Sequence, residues 1–189
     1  MKTPIKDKFS KEIIDLMKEF INNTKNTGIE HGFIMCSNNV ITPSKERAIG
    51  IEHEVGLQYE DACKDKIQGS FHTHSRTKYL KQSYQSSELK DLLTIEEFEE
   101  LSVIKDDPIP SIGDLSIAAV TKGLEMTDGT TCIGNDVGSD KISCWTAKDM
   151  MPKDLIRTFV DIFKNKDKRM NDVPTKEMRR YFDIENIKL

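Results

Sequence analysis

The chain has 189 residues, of which 37% are hydrophobic and 32% are charged, with a formal net charge of -4. This length and composition predict one globular domain with its own core, and the acidic balance argues against a nucleic-acid partner, which needs clustered Lys and Arg. No stretch approaches the roughly 18 apolar residues of a membrane span, and no signal peptide is evident, so we expect no membrane partner and a cytoplasmic location.

The four cysteines, Cys36, Cys63, Cys132 and Cys144, show no C-x-x-C spacing. This absence argues against a zinc-ribbon or a redox motif. Isolated cysteines in a reducing compartment usually behave as small buried hydrophobic residues. We therefore expect all four to be unpaired and to pack in the interior.

The first predicted elements are a helix and a strand. Apolar residues recur with helical period over 11–21, directly after Ser10, whose side chain can cap the free amides of a helix. Turn residues follow, and the short apolar run 32–36 has the length of a strand. Partial alternation over 46–60 predicts a second and a third strand around a turn, and 67–74 predicts another strand.

The rest of the chain alternates helices and strands. Apolar residues spaced three and four apart predict one long helix or two short ones over 88–104, ended by Pro108. Pro110 and Ser111 are N-terminal signals of the next helix. The remaining predicted elements are this helix from 111 to 120, strands at 130–133 and 141–146, an amphipathic helix at 154–163 and a shorter helix at 175–182. This order predicts an α/β (α+β) fold.

Two histidines are separated by one residue at the end of the predicted strand 67–74. Side chains alternate across a strand, so His72 and His74 point to the same face and can bind one metal ion. The alternative is that both are ordinary polar residues at a strand end. The pair by itself does not decide between these two interpretations.

A catalytic zinc site needs a third protein ligand, because three ligands leave the fourth position open for water. Asp114 is the best candidate, since it lies in the first turn of the helix that begins after Ser111. At this spacing the serine hydroxyl and the carboxylate can reach one point. In the alternative interpretation Ser111 is only an N-cap, and Asp114 is only an acid favoured by the helix dipole.

Zinc-dependent hydrolysis also needs a general base that accepts the proton of water. Glu30 lies immediately before the apolar strand 32–36, which is an unusual place for a carboxylate unless something holds it there. The alternative is a solvent-exposed acid at a strand edge. Glu52 and Glu54 are rival bases.

These motifs occur in an order that resembles a known family. A glutamate, Glu30, leads an apolar strand, an H-x-H pair ends the strand 69–74, and an S-x-x-D pair at 111–114 opens a helix. The ordered set is similar to the signature of the JAMM (MPN-plus) zinc metallopeptidases. The similarity extends from the N-terminal helix to about Thr146.

The resemblance implies a fold and a division of the chain. It implies a mixed sheet flanked by helices, as in the cytidine-deaminase-like folds, over 1–150, and a C-terminal helical extension over 151–189. The segment 75–110 is far longer than the family's connection between the second histidine and the serine. We expect this helical insertion to lie beside the active site as a lid, an inhibitor or a recognition element. Ser75 also replaces the proline that the family has after the second histidine.

The resemblance also implies a site and a reaction. His72, His74 and Asp114 would bind Zn²⁺, and Glu30 would be the general base. Ser111 would hydrogen-bond the water or stabilise the oxyanion. The reaction implied is hydrolysis of amide or isopeptide bonds, with a ubiquitin-like modifier or its conjugate, or a sulfur-carrier protein, as the protein substrate.

Other functions fit the same sequence less well. A non-catalytic MPN scaffold in a larger complex is the main alternative, although such relatives typically lack part of the metal set. The deaminase motifs H-x-E and P-C-x-x-C are absent from the sequence. His53 and Glu54 begin an H-E-x-x-H run, but Leu57 occupies the position of its second histidine.

Overall fold

The computed structural model describes residues 3–37, 40–50, 55–75, 81, 84–85, 87–101, 108–137, 140–165, 170 and 172–189. Its strands are β1 (His31–Ser37), β2 (Thr42–Ile49), β3 (Lys66–His74), β4 (Thr127–Asn135), β5 (Lys141–Ala147) and β6 (Phe182–Lys188). Within these residues they form one sheet in the order β2-β1-β3-β4-β5-β6. β3 and β4 run parallel, whereas the other neighbouring strands are antiparallel.

Helices lie on both faces of this sheet. The α-helices are α1 (Lys11–Thr27), α2 (Ile95–Leu101), α3 (Ile112–Gly123), α4 (Lys153–Asn165) and α5 (Lys176–Arg179). Short 3-10 helices span Ile5–Lys8 and Glu88–Asp91. The chain is therefore a mixed α/β structure with a six-stranded mixed sheet flanked by helices.

α1 covers one face of the sheet. Its first turn is capped by Ser10, whose hydroxyl oxygen accepts a hydrogen bond from the Ile13 amide, and Gly28 ends the helix with a left-handed φ of 68°. Beneath the helix, the rings of Phe33 and Phe71 lie 5.1 Å apart between centroids. Each fully buried side chain of this layer contributes about 1.5–3 kcal/mol through the hydrophobic effect.

α3 and α4 pack against each other on the opposite face. Their core contains Leu115, Trp145, Phe159 and Phe182, which are all buried. The Phe159 and Phe182 rings meet edge to face with centroids 6.1 Å apart. This helical layer brings the N-terminus of α3 to the end of β3, where the two histidines lie.

Most of the predicted elements are confirmed, with two corrections. The expected third strand within 46–60 is wrong for the described residues, because 55–59 has no regular structure and β2 ends at Ile49. The C-terminal extension 151–189 is also not wholly helical. Its predicted helix at 175–182 ends at Arg179, and β6 follows and pairs with β5 along its whole length. Apolar and polar residues alternate only weakly along β6, and the apolar Ile184 is exposed on this edge strand.

The expectation of unpaired cysteines is wrong. Cys36 bonds to Cys63, and Cys132 bonds to Cys144. Strand pairing accounts for the second bridge, because Cys132 and Cys144 are direct partners on β4 and β5. Among the described residues, no helix has the length and apolar character needed to cross a membrane.

Candidate metal centre

The two predicted histidine ligands lie side by side at the end of β3. His72 is buried and His74 is half-buried. Their Nε2 atoms are 3.0 Å apart, on the sheet face that α3 covers. The structure therefore agrees with the prediction from strand alternation that both imidazoles point to one place.

Asp114 completes the cluster from the first turn of α3. Its Oδ1 lies 3.1 Å from His72 Nε2, and its Oδ2 lies 3.3 Å from His74 Nε2. In a tetrahedral zinc site whose ligand atoms lie 2.0–2.1 Å from the metal, any two ligand atoms are about 3.3 Å apart. The three side chains therefore form a group that could hold one metal ion.

The charge on Asp114 suits a metal ligand. Burial by itself raises the pKa of this carboxyl, but the charge of His72 and the hydrogen bonds with His72 and His74 outweigh it and hold the pKa well below its usual value. The side chain is therefore an ionised carboxylate beside two imidazoles. Metal binding requires this deprotonated form.

Ser111 holds that carboxylate in place through a capping box at the start of α3. Both its backbone amide and its hydroxyl donate to Asp114 Oδ2, at 2.7 Å and 2.8 Å. In return, the Asp114 amide donates to Ser111 Oγ at 3.2 Å. The N-cap interpretation of Ser111 is therefore confirmed, and it is compatible with Asp114 as a ligand because the cap orients the carboxylate.

Gly32 provides room for the histidines on the neighbouring strand. It is the direct partner of His72 in the β1–β3 ladder. A Cβ at this position would lie 2.9 Å from the Phe71 carbonyl oxygen and 3.1 Å from both His72 Cβ and Leu57 Cδ2. A side chain here would displace the strand or the imidazole, so glycine keeps the site open.

Glu30 directly precedes β1. Continuing the antiparallel register from the Gly32–His72 pair by two residues brings Glu30 opposite His74, on the same face. Glu30 is only 7% exposed, so the alternative of a solvent-exposed strand-edge acid is wrong. The rival bases Glu52 and Glu54 lie outside the described residues.

Behind the site, a buried polar network fixes the middle of the H-x-H motif. The Thr73 hydroxyl accepts a hydrogen bond from the His31 amide at 3.0 Å and lies 2.5 Å from the Thr24 hydroxyl of α1. The His31 ring contacts Thr24 and the Ile29 carbonyl, so this histidine faces away from Asp114. Thr73 thereby ties β3 to β1 and α1 between the two histidines.

Sequence reasoning missed one residue of this region, Tyr59. Its hydroxyl hydrogen-bonds the side chain of Ser70, which precedes His72 by two residues on the same strand face. Burial raises the pKa of Tyr59, and the negative charge of Asp114 raises it further against the opposing effect of the Ser70 hydrogen bond. The partial alternation over 46–60 includes Tyr59 only as a strand position, and the structure places it in an irregular segment before β3.

Comparison with family models, with curated proteins and with solved structures found no match for this chain. The assignment of the site therefore depends on the geometry of its own residues.

Proposed function

We propose that this protein is a zinc-dependent hydrolase that cleaves amide or isopeptide bonds. The observation that carries the proposal is the convergence of His72, His74 and Asp114 within the spacing of zinc ligands. The buried Glu30, directly before the neighbouring strand β1, supports hydrolysis over a purely structural metal site, because a hydrolase needs a base close to the metal.

The donor set fits catalytic zinc better than structural zinc. Structural sites usually have four protein ligands, whereas catalytic sites have three and leave one position open. Two imidazoles and one carboxylate are the three-ligand pattern here. Zinc bound there would lower the pKa of a coordinated water and polarise the carbonyl of the substrate.

The residues of the chain have separate tasks in this mechanism. Glu30 accepts the proton of the attacking water and then delivers it to the departing amine, so that the amide bond breaks without a covalent acyl-enzyme. Ser111 keeps Asp114 oriented through the two hydrogen bonds that it donates to Oδ2. Thr73 keeps the backbone between the two histidines in place.

The substrate class comes from the resemblance to JAMM metallopeptidases. The order of Glu30, the H-x-H pair and the S-x-x-D pair supports a protein substrate that carries a ubiquitin-like modifier. The segment 75–110, between the second histidine and the serine, would help to select that substrate. Tyr84 organises part of this segment, since its hydroxyl donates to the carbonyls of Lys90 and Leu93.

The first test combines metal analysis with a cleavage panel. Wild-type protein loaded with zinc should bind about one equivalent and cleave at least one of a set of ubiquitin-like fusion proteins. Glu30→Gln should keep the zinc and lose turnover by about 10²–10⁴-fold, because general base catalysis is removed while the ligands remain. His72→Ala should lose the zinc itself.

Two results would contradict parts of this proposal. If Glu30→Gln has undiminished turnover, Glu30 is not the general base, and Glu52 or Glu54 becomes the candidate. Wild-type protein without stoichiometric zinc, and with no cleavage of any fusion, would favour the non-catalytic scaffold instead.

A further inference from the structure

The proposed reaction depends on where Glu30 lies relative to the metal ligands. A general base has to reach the attacking water at hydrogen-bond distance, and a misplacement of about 1 Å can cost roughly 10²-fold in rate. On the side of Glu30, the backbone ladder between β1 and β3 has its last pair at Gly32 and His72. Glu30 lies two residues beyond that pair, so contacts other than the ladder have to position it.

His31 directly follows Glu30 and is buried beneath α1. Its imidazole packs against the ring of Phe20, with the two ring centroids 5.4 Å apart. Neither the three motifs of the candidate site nor the mechanism proposed for them uses this histidine. Its hydrogen bonds, however, return to the backbone on both sides of the base.

Four hydrogen bonds form a closed chain that begins and ends at His31. The His31 amide donates to the Thr73 hydroxyl oxygen at 3.0 Å, and the Thr73 hydroxyl donates to that of Thr24 at 2.5 Å. The Thr24 hydroxyl donates to the Ile29 carbonyl oxygen at 2.8 Å, and His31 Nδ1 donates to the same oxygen at 2.9 Å. We call this closed chain the hydrogen-bond cycle.

The chemistry of the groups determines the direction of each bond in the cycle. A hydroxyl has one hydrogen, whereas a carbonyl oxygen accepts up to two bonds and donates none. Thr24 uses its hydrogen on Ile29, so it accepts from Thr73, and Nδ1 of His31 has to carry a hydrogen. Thr24 and Thr73 are both 0% exposed, so water does not compete for these bonds.

The cycle encloses the backbone of Glu30. The Ile29 carbonyl precedes Glu30 and the His31 amide follows it, and both groups are members of the cycle. In addition, the Glu30 carbonyl oxygen accepts a hydrogen bond from the Gly50 amide at 2.8 Å. The backbone that carries the base is therefore held before, at and after Glu30.

We propose that His31 is a positioning residue that sets the place of Glu30 through the hydrogen-bond cycle. Thr73 belongs to the cycle and lies between His72 and His74 on β3, so the base and two candidate metal ligands share one support. The inference rests on the proposed hydrolase function. It gives a task to a histidine that lies outside the metal motifs.

The test is His31→Phe in the intact, zinc-loaded protein, which keeps a ring against Phe20 and removes Nδ1. We expect kcat for the best fusion substrate to fall by about 10²-fold, because the base is displaced. KM and zinc stoichiometry should stay at wild-type values. His31→Asn should recover most of the lost kcat, because its amide nitrogen is bonded to Cγ, as Nδ1 is, and can donate to the Ile29 carbonyl.

Thr24→Val breaks the cycle at a second point and keeps the shape of the side chain. It should lower kcat as His31→Phe does. Thr121→Val is the matched control, because the buried Thr121 hydroxyl also donates to a carbonyl, that of Ile117 at 2.7 Å, and lies 3.0 Å from another hydroxyl, that of Thr127. The control should lose a similar amount of thermal stability and keep wild-type kcat.

The cycle itself has a test that depends on neither zinc nor turnover. Nitrogen-15 NMR of the imidazole side chains at neutral pH distinguishes a ring nitrogen that carries a hydrogen from one that does not. We expect Nδ1 of His31 to carry a hydrogen in the wild type. If Nδ1 carries none, the bond to the Ile29 carbonyl does not form and the inference is overturned.

The outcomes separate this inference from the proposed function. Wild-type kcat in both His31→Phe and Thr24→Val, beside an inactive Glu30→Gln, would overturn the role of His31 and leave the hydrolase intact. Loss of zinc in either variant would also overturn it, since the cycle would then support the metal ligands and not the base. A wild-type protein that neither binds zinc nor cleaves would overturn both.

Discussion

At the residue scale, Gly32 matters because it faces His72 across the β1–β3 ladder. The Gly32→Ala methyl would lie 2.9 Å from the Phe71 carbonyl oxygen, which belongs to the backbone and cannot turn aside. We expect a loss of about 1–3 kcal/mol in the free energy of unfolding, as for other overpacked sites. Zinc affinity should also fall, because the shift is passed to His72.

Urea unfolding of the metal-free protein and a competitive zinc titration measure these two effects. Gly56→Ala is the control, since a Cβ there would have no neighbouring heavy atom within 4 Å. Wild-type stability and zinc affinity in Gly32→Ala would show that the close packing around His72 is not needed for the site.

A second residue-scale prediction concerns the cap of α3. Ser111→Ala removes a hydroxyl that both donates to Asp114 Oδ2 and accepts from the Asp114 amide. Loss of an N-cap costs about 1 kcal/mol of stability. Loss of a hydrogen bond that orients a metal ligand typically lowers metal affinity by about 10–100-fold. Both losses should appear together.

Ser10→Ala separates the two effects. Ser10 caps α1, far from the candidate metal ligands in the fold, through a hydrogen bond from the Ile13 amide. It should lose a similar amount of stability and keep wild-type zinc affinity. Equal zinc affinities in Ser111→Ala and Ser10→Ala would show that Ser111 does not support metal binding.

At the element scale, the segment before β3 depends on one covalent link. Closing the chain between Cys36 and Cys63, which are 27 residues apart, stabilises the fold by about 3–4 kcal/mol in the chain-entropy view. Cys63→Ser should therefore lower the unfolding midpoint. It should also increase hydrogen exchange locally in residues 55–65, because the segment has lost its anchor to β1.

Cys144→Ser is the comparison for that prediction. Its disulfide joins two adjacent core strands, so its loss should raise hydrogen exchange across the sheet and not in one segment. If Cys63→Ser leaves exchange in residues 55–65 unchanged, contacts such as that of Leu57 with Gly32 hold the segment without the disulfide.

At the scale of the whole molecule, the last described residues form β6, the edge strand that pairs with β5. Phe182 and Ile187 of β6 are buried, and the Glu185 carboxylate accepts hydrogen bonds from the Ile5 amide near the other end of the chain. Deleting 181–189 would remove buried side chains worth about 2–5 kcal/mol each. It would also uncover β5, whose edge would become a site for aggregation.

We expect the protein without 181–189 to lose cooperative thermal unfolding, which circular dichroism measures. Ile184→Lys is the control within the same strand, because Ile184 is partly exposed on the outermost strand and a charge there is tolerated. A truncated protein that melts cooperatively near the wild-type temperature would show that β6 is not needed for the folded core.

Patterns within a few residues were enough to predict much of this protein. Helical period and a cap located α1, and strand alternation put His72 and His74 on one face of β3. The S-x-x-D spacing located the capping box at Ser111 and Asp114. These predictions are reliable because the interactions behind them connect neighbours along the chain, where backbone geometry alone sets the distances.

The remaining features depend on residues that are distant in sequence. The burial of Glu30 and the partner of each cysteine follow from how strands pair and helices pack on them. β6 is similar, since its pairing with β5 makes it a strand despite a weak local pattern. The sequence alone thus identified the candidate metal ligands, whereas packing of the whole chain determined what surrounds them, because register and burial are properties of the assembled sheet.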